Sequence, residues 1–413
     1  MPNSETAAVE VPVPESGLTP EQMIARAAEM KPTLRAAQDD SEQRGYCSEE
    51  IHRQFLRNGF YRVVQPRRFG GYEFDLATFW KVAMNIATGD PGVGWYLALA
   101  SHHALVLGAM FPERAQRELF GPDGDFRAAH RPAPMGTARP VEGGWVVSGV
   151  WDYCSGIPYA THVMVDAMVT PTAGGAPVNT VFTVPMDQAT MRHDWGGGSL
   201  LGMQSSGSNA VEIHDVFVPE HWTVGWNAMH EPGPRPGLEL YADPLFSGMF
   251  RSIYHAGLVC AVIGAARAAL DELEEILTTK KTYKPPQVPR HTHHDHQRVF
   301  GLAAALTNSA EALVCRVGEL YMEYGERWLR TAQPFGAEED FELYAILQQA
   351  GQMAMRAVEE CFAVAGSSAA KRGQRMLRYY RDVAMYRGHI SAQYLTTATE
   401  YAQLHFGVST PRP

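Results

Sequence analysis

Hydrophobic and polar residues alternate with different periods in three successive parts of the chain. From Thr19 to about Leu119 the charged and apolar faces recur at helical spacing, which predicts amphipathic helices. From about Asp125 to Trp226 short β-rich runs such as VEIHDVFV at 211–218 are separated by glycine, proline and asparagine, as in a sheet of short strands. Beyond residue 246 helical spacing returns. The pattern predicts helices, then a β-domain, then a helical bundle.

These patterns also predict the domain boundaries. An N-terminal helical domain covers residues 19–124, and a β-domain of antiparallel barrel or sandwich type covers residues 125–228. A connector rich in proline and glycine follows at 229–245 and leads into an antiparallel four-helix bundle at 246–413. The bundle helices are predicted at 246–279, 296–330, 338–365 and 381–406. Residues 1–18, which carry acids and prolines, are expected to form a disordered lead.

Composition excludes several classes of function. The net charge of −10 leaves no excess of basic residues to neutralise nucleic-acid phosphates. The five cysteines are scattered without a CxxC pair, and the first residues lack the basic start and apolar run of a signal peptide, so a cytoplasmic protein is expected. The uncharged stretch 91–112 is interrupted by glycines and by His102 and His103, which favours a buried helix over a membrane span.

Two clusters that resemble binding motifs lack the required context. The run HTHHDH at 291–296 has no HExxH or CxxC spacing, so no metal site is predicted. The glycines at 196–198 are not framed by a strand and an acidic partner, so they are not a nucleotide fingerprint.

Four stretches together resemble the acyl-CoA dehydrogenase fold, and within it the two-component flavin-dependent monooxygenases often called group D. They are LRNGFYRVVQPRRFGGYEFDL at 56–76, SGVWDYCSGIPYATHVMV at 148–165, SSGSNAVEIHDVFVPEHW at 205–222 and AGSSAAKRGQRMLRYYRDVAMYRGH at 365–389. Within this branch the chain resembles the oxygenase components of p-hydroxyphenylacetate hydroxylases and of steroid-degrading hydroxylases. The resemblance implies an α+β fold: an N-terminal helical domain, a central antiparallel β-barrel or sandwich, and a C-terminal four-helix bundle.

The second stretch predicts a wall of the flavin site. Trp151, Tyr153 and Ser155 alternate along a predicted strand, so one face presents two aromatic rings and a hydroxyl. The resemblance places Ser155 at the N5 edge of the flavin. It also suggests Ser208 and Arg251 as further contacts to the flavin ring or phosphate.

The fourth stretch discriminates between activities. Dehydrogenases of this fold carry a catalytic glutamate shortly after an Arg-Asp pair, whereas Arg381 and Asp382 are followed by no acid as far as Ile390. A base for proton abstraction from an acyl thioester is therefore missing at this position. His389 stands seven residues after Asp382, on nearly the same face of a predicted helix. The resemblance implies that His389 acts close to flavin and substrate, where an imidazole can accept a phenolic proton or donate a hydrogen bond near neutral pH. Asp382 is a further catalytic candidate.

Other residues of the predicted site follow from the resemblance. One of His102 and His103 is expected to face the substrate pocket, and His103 is favoured. Trp95 lies eight residues earlier, on roughly the same helical face, and is a candidate wall of the pocket. The turn of Gly366, Ser367 and Ser368 is expected to approach a flavin phosphate, often across a subunit boundary in the family; the alternative is a simple helix cap.

The resemblance implies a monooxygenase that uses reduced FMN or FAD, delivered by a separate NAD(P)H-dependent reductase, together with O2. Its reaction would pass through a C4a-hydroperoxyflavin and hydroxylate a small aromatic or polycyclic substrate. The expected assembly is a homotetramer without nucleic acid or membrane. The alternatives are an acyl-CoA dehydrogenase-type oxidoreductase, an N- or S-oxygenase of the same fold, and a non-catalytic scaffold.

Overall fold

The computed structural model describes residues 14–170 and 175–408. Most of the predicted disordered lead lies outside the described residues. Its last residues are within them and are packed in place. Leu18 is buried, and the backbone N–H of Glu15 donates to the hydroxyl of Tyr72 over 3.2 Å. The lead therefore does not extend to residue 18 as predicted.

Six helices form the N-terminal region, and polar caps start most of them. They are α1 (Pro20–Glu29), α2 (Lys31–Arg44), α3 (Glu49–Arg57), α4 (Leu76–Gly89), α5 (Pro91–Met110) and α6 (Glu113–Phe120). Thr19, Ser48, Asp75 and Asp90 each accept a backbone N–H in the first turn of the helix that follows. The caps satisfy donors that have no partner within the helix.

Two helices are long and apolar enough to cross a membrane, by length and composition alone. They are α5 and α8 (Phe250–Thr279), and their most apolar windows are 94% and 83% buried inside the protein. Core helices of soluble proteins pass the same test, and burial on all sides accounts for the uncharged stretch at 91–112.

The β-domain is one seven-stranded sheet in the order β5-β6-β2-β1-β3-β4-β7. Its strands are β1 (Ala128–Val141), β2 (Gly144–Trp151), β3 (His162–Val169), β4 (Val178–Pro185), β5 (Thr190–Met191), β6 (Val211–Pro219) and β7 (Thr223–Gly225). The long strand β1 pairs with β3 in its first part and with β2 in its last part. Apolar side chains from β2, β3, β4 and β6 form a second core. The sheet is not wholly antiparallel as predicted, since β1 and β3 run parallel.

The C-terminal region begins with the short helix α7 (Pro236–Tyr241), which lies within the predicted connector. The bundle consists of α8 with α9 (His294–Thr331), α10 (Ala337–Ala365) and α11 (Arg375–Arg387), and α12 (Tyr394–His405) packs on α10. The fourth predicted helix, 381–406, is wrong as one element because the chain leaves helical geometry at His389, with φ −69° and ψ 140°. Tyr344 and Gln348 of α10 both donate to the Ser391 carbonyl, which holds this break in place.

Candidate active site

A cavity of about 380 Å³ lies where α5, the β-domain and the end of α11 meet. Its walls are mainly aromatic and apolar, with three serine hydroxyls, one imidazole and one guanidinium. The lining residues are Trp95, Arg131, Tyr153, Ser155, Trp195, Met203, Ser206, Ser208, Met385, Tyr386, Gly388, His389 and Ile390. A largely apolar pocket with a few placed polar groups is typical of a cofactor or substrate site.

A chain of hydroxyls forms one polar side of the cavity. The oxygens of Ser155 and Ser208 are 2.7 Å apart, and so are those of Ser206 and Ser208. Trp95 donates its indole N–H to the Ser155 oxygen over 3.1 Å. Since an indole is only a donor, Ser155 accepts from Trp95, and its own proton is left for either Ser208 or a ligand. The structure thus brings together three predicted site residues, Trp95, Ser155 and Ser208.

The loop of residues 202–208 supplies Met203, Ser206 and Ser208 to the cavity and is held at two points. The backbone N–H of Met203 donates to Asp382 of α11 over 2.6 Å. The Ser205 hydroxyl donates to Asp90, the cap of α5, also over 2.6 Å. Two buried carboxyl groups on different helices therefore position the hydroxyl chain.

Asp382, predicted to be catalytic, is buried behind this loop and is not among the residues that line the cavity. Burial, together with repulsion from Asp90 and Glu42, raises the pKa of Asp382 to about 8, although the Met203 N–H and Arg378 oppose the shift. The geometry assigns Asp382 to loop positioning, because its oxygen is used by the Met203 backbone.

His389 reaches the cavity from an extended backbone rather than from a helix, so its predicted position on one helical face with Asp382 is wrong. Its Nδ1 accepts the backbone N–H of Ser391 over 3.1 Å and caps the turn at 390–392. The proton of the neutral ring is therefore on Nε2, which faces the cavity as a donor. Burial and the positive charge of Arg131 lower the pKa of His389 to about 4, so the ring is neutral near pH 7.

The aromatic wall surrounds His389. Trp95 meets the imidazole edge to face, with ring centroids 5.4 Å apart, and meets Tyr386 in the same manner at 6.5 Å. Tyr153 packs edge to face on Trp195 at 5.0 Å and is itself 54% exposed, so it lies at the mouth of the cavity.

Trp151 does not share a face with Tyr153 and Ser155 as predicted. Strand β2 ends at Trp151, whose indole lies in the second core and donates to the Asp166 carbonyl over 2.9 Å. A Cβ at Gly136 would stand 1.9 Å from this ring, so only glycine leaves room for it. Trp151 therefore supports the β-domain from inside.

His102 and His103 are both fully buried in α5, and neither lines the cavity. His103 donates from Nδ1 to the Ala128 carbonyl over 2.7 Å, and its ring lies 4.2 Å from that of His102. Burial lowers the pKa of His102 to about 3 and holds that of His103 well below its usual range. The expectation that one of the pair faces this pocket is therefore wrong for the described cavity.

The predicted phosphate contacts lie elsewhere in the subunit. The guanidinium of Arg251 stacks over Phe341, 4.3 Å from the ring centre. Gly366 ends α10 with φ +92°, Ser367 begins the following turn, and the Ser368 hydroxyl accepts from Lys280 over 3.2 Å. None of these residues lines the cavity, and their contact with flavin stays a prediction.

Sequence reasoning missed several lining residues. Arg131 and Trp195 lie outside the stretches that resemble the family, because their approach depends on how separate elements pack. Tyr386 lies within the stretch 365–389 and so did carry a signal. Ser206 did carry a signal, since it lies in the stretch SSGSN that resembles the family and alternates with Ser208. Within the described ranges, no group of three or more His, Cys, Asp or Glu is placed to hold a metal.

Comparisons with known proteins agree on the fold. Residues 256–394 match the family described as acyl-CoA dehydrogenase, C-terminal domain. The solved structure of XiaF from Streptomyces sp. in complex with FADH2 and glycerol superposes with a TM-score of 0.85 at 21% identity, over 95% of this chain and 97% of that one. The predicted fold class is confirmed.

Two curated relatives extend over nearly the whole chain. The flavin-dependent monooxygenase oxygenase subunit HsaA of Rhodococcus jostii is 26% identical over 91% of this chain and 96% of its own length. The p-hydroxyphenylacetate 3-hydroxylase oxygenase component of Acinetobacter baumannii is 24% identical over 90% of this chain and 86% of its own length.

Proposed function

We propose that this chain is a flavin-dependent monooxygenase built on the acyl-CoA dehydrogenase fold, and that it works as the oxygenase component of a two-component enzyme that hydroxylates a small aromatic or polycyclic substrate. In the overall reaction one atom of O2 enters a C–H bond of the substrate and the other leaves as water. The two electrons that this balance requires would come from reduced flavin.

One observation carries this choice among activities of the fold. None of the thirteen residues that line the described cavity is an aspartate or glutamate. Acyl thioester oxidation needs a carboxylate, or a comparable base, in reach of the substrate. The cavity offers hydroxyls and a neutral imidazole instead, so an acyl-CoA dehydrogenase activity is disfavoured.

The residues present fit a flavin. A cavity of about 380 Å³ with indole and phenol walls suits a flat heteroaromatic ring, and the hydroxyls of Ser155 and Ser208 suit its polar edge. When bound in reduced form, the flavin supplies the two electrons that activate oxygen. Trp95, Tyr153 and Trp195 would hold the ring.

The protein's own residues bind, orient and exclude water. Met385 and Tyr386 form an apolar wall next to His389, whereas Ile390 is 79% exposed and lies at the rim of the cavity. Exclusion of water by this wall favours insertion of oxygen into substrate over its loss as hydrogen peroxide. His389 donates a hydrogen bond from Nε2 to an oxygen of the substrate. Ser155 is fixed by Trp95 and would donate to the polar edge of a bound flavin when Ser208 donates to Ser155.

The remaining parts of the proposal concern partners and location. The electrons come from a separate NAD(P)H-dependent flavin reductase, and the flavin is a diffusible reduced FMN or FAD. The assembly is a homotetramer, by analogy with the fold, and the five cysteines, all free thiols, support a cytoplasmic location.

The test starts from the purified chain and anaerobically reduced FMN or FAD. Mixing with isotopically labelled O2 and a panel of phenols, indoles and polycyclic phenols is expected to incorporate label into one substrate class, with little hydrogen peroxide. A heat-denatured sample is the control. Loss of all oxygen as hydrogen peroxide at the rate of free reduced flavin, for every compound, would contradict the proposal. So would reduction of bound oxidised flavin by acyl-CoA thioesters.

A further inference from the structure

Arg131 is the charged residue of the cavity, and it has no partner there. It belongs to β1 and its side chain lines the cavity beside His389. Its Nε is buried, and no described residue forms a hydrogen bond or ion pair with the guanidinium. Arg131 is half-buried, and a partly desolvated cation without a counter-ion gains from a ligand of opposite charge.

Two arginines of α11, unlike Arg131, form ion pairs with carboxylates. Arg378 pairs with Asp39 and Glu42 of α2, and Arg381 pairs with Glu42. The chain has 45 acids for 35 basic residues, so carboxylates are abundant. The cavity nevertheless contains none, which leaves Arg131 free to bind a ligand.

His389 supplies a second donor to the same space. Its Nδ1 is used by the Ser391 N–H, which leaves Nε2–H for the cavity. The charge of Arg131 reaches this ring, since it contributes to the lowered pKa of His389. A guanidinium and an imidazole N–H are together suited to bind a carboxylate or a phenolate, because both groups donate hydrogen bonds and neither accepts one.

We propose that Arg131 and the Nε2–H of His389 form an anion-binding subsite of the cavity, and that the ligand held there carries a negatively charged oxygen. The inference rests on the proposed function, which it deepens. Two ligands present such an oxygen: an aromatic substrate with a carboxylate or phenolate, and the reduced flavin itself. The subsite orients that ligand relative to the hydroxyl chain of the same cavity.

The experiment measures binding without turnover. Arg131→Gln, Arg131→Lys and the unaltered chain are titrated anaerobically with reduced FMN, and then, with flavin present, with 4-hydroxybenzoate and the matched neutral 4-hydroxybenzamide. Quenching of indole fluorescence reports occupancy, since Trp95 and Trp195 line the cavity. The unaltered chain is expected to prefer the carboxylate by about tenfold or more, and Arg131→Gln to lose that preference. Arg131→Lys keeps part of it.

The second arm identifies the source of the anion. If Arg131→Gln weakens the binding of reduced FMN by about tenfold and leaves the preference for the carboxylate unchanged, the subsite binds the flavin. If it changes neither affinity, the proposal is overturned. The matched control is Arg139→Gln, an exposed arginine on the same strand outside the cavity, which should change neither.

Failure of this inference is distinguishable from failure of the proposed function. Binding is measured in the absence of O2 and does not depend on the reaction. If the chain shows an Arg131-dependent preference for the carboxylate but oxygenates no substrate, the proposed function is contradicted and the anion-binding subsite is supported. Arg131 forms no ion pair with the described residues, so Arg131→Gln should melt within about 1 °C to 2 °C of the unaltered chain.

Discussion

His389 shows how neighbours decide the chemistry of one side chain. An isolated imidazole titrates near pH 6.5 and either accepts or donates. Here burial and Arg131 keep the ring neutral, and the Ser391 N–H occupies the accepting nitrogen. The role of His389 at neutral pH is therefore to donate from Nε2, and a role as base would require the cap to break first.

Two substitutions separate the cap from the donor. His389→Asn keeps an oxygen that caps the turn and loses the Nε2 donor, whereas His389→Ala loses both. We expect both variants to bind reduced flavin within about threefold of the unaltered chain and to reduce product per O2 consumed by about tenfold or more. Oxygen electrode traces with product quantification measure this ratio. His405→Ala, an exposed histidine on α12, is the control. Unchanged coupling in His389→Asn would contradict the donor role.

The raised pKa of Asp382 predicts that the stability of the chain depends on pH. The folded pKa of this carboxyl is raised from 3.8 to about 8, so its contribution to stability is fully present below pH 4 and is lost as the pH rises through 8. Asp382→Asn keeps an acceptor for Met203 without a charge. The free energy of unfolding of the unaltered chain should fall relative to Asp382→Asn between pH 5 and pH 9, by roughly 1 to 4 kcal/mol. Urea titrations across this pH range measure the difference in the free energy of unfolding. If this free energy depends on pH in the same way in both proteins, the raised pKa of Asp382 is contradicted.

At the scale of elements, the loop 202–208 connects the fold to the candidate site, because it carries serine hydroxyls that line the cavity. Asp90 of α5 and Asp382 of α11 hold it from two sides, and it presents Ser206 and Ser208 to the cavity. Close contact is also required at its start, because a Cβ at Gly202 would lie 2.3 Å from the Arg381 carbonyl oxygen. The loop therefore rests directly on the α11 backbone.

Gly202→Ala tests this contact. The added methyl group must push the loop away from α11, so we expect a loss of stability of about 1 to 3 kcal/mol and a reduced affinity for reduced flavin. Calorimetry and anaerobic titration measure the two effects. Gly301→Ala on α9, where a Cβ meets nothing within 4 Å, is the control and should be neutral or slightly stabilising. A Gly202→Ala protein as stable as Gly301→Ala would exclude the close packing described.

At the scale of the whole molecule, the cavity lies where independent parts meet. The main core fills the helical regions, and a second core fills the β-domain. The cavity takes Trp95 from α5, Ser155 from the segment after β2, and Tyr386 from α11. A ligand bound there contacts both domains at once.

Flavin binding should therefore stabilise the whole chain. Reduced FMN or FAD at about a hundred times its dissociation constant is expected to add about 2.7 kcal/mol to the free energy of unfolding. Anaerobic thermal melts measure this gain. Hydrogen exchange should slow both in the loop 202–208 and at the end of α11. Protection confined to the β-domain would place the flavin outside the described cavity.

Local sequence determined the elements and part of the site. Periodic apolar residues, with caps such as Thr19 and Asp75, mark where helices begin, since these interactions occur within one turn. The runs at 162–168 and 211–218 correspond to β3 and β6 because strand alternation is also local. Ser155 and His389, found through motif resemblance, both line the cavity.

Tertiary structure alone decided the rest. The parallel pairing of β1 with β3, the break at His389 and the inward turn of Trp151 depend on contacts between residues far apart in sequence. The charge state of Asp382 and the unpaired guanidinium of Arg131 likewise depend on which groups are brought near and which are kept away. Burial and electrostatic interaction act through space, so the order of residues along the chain does not specify them.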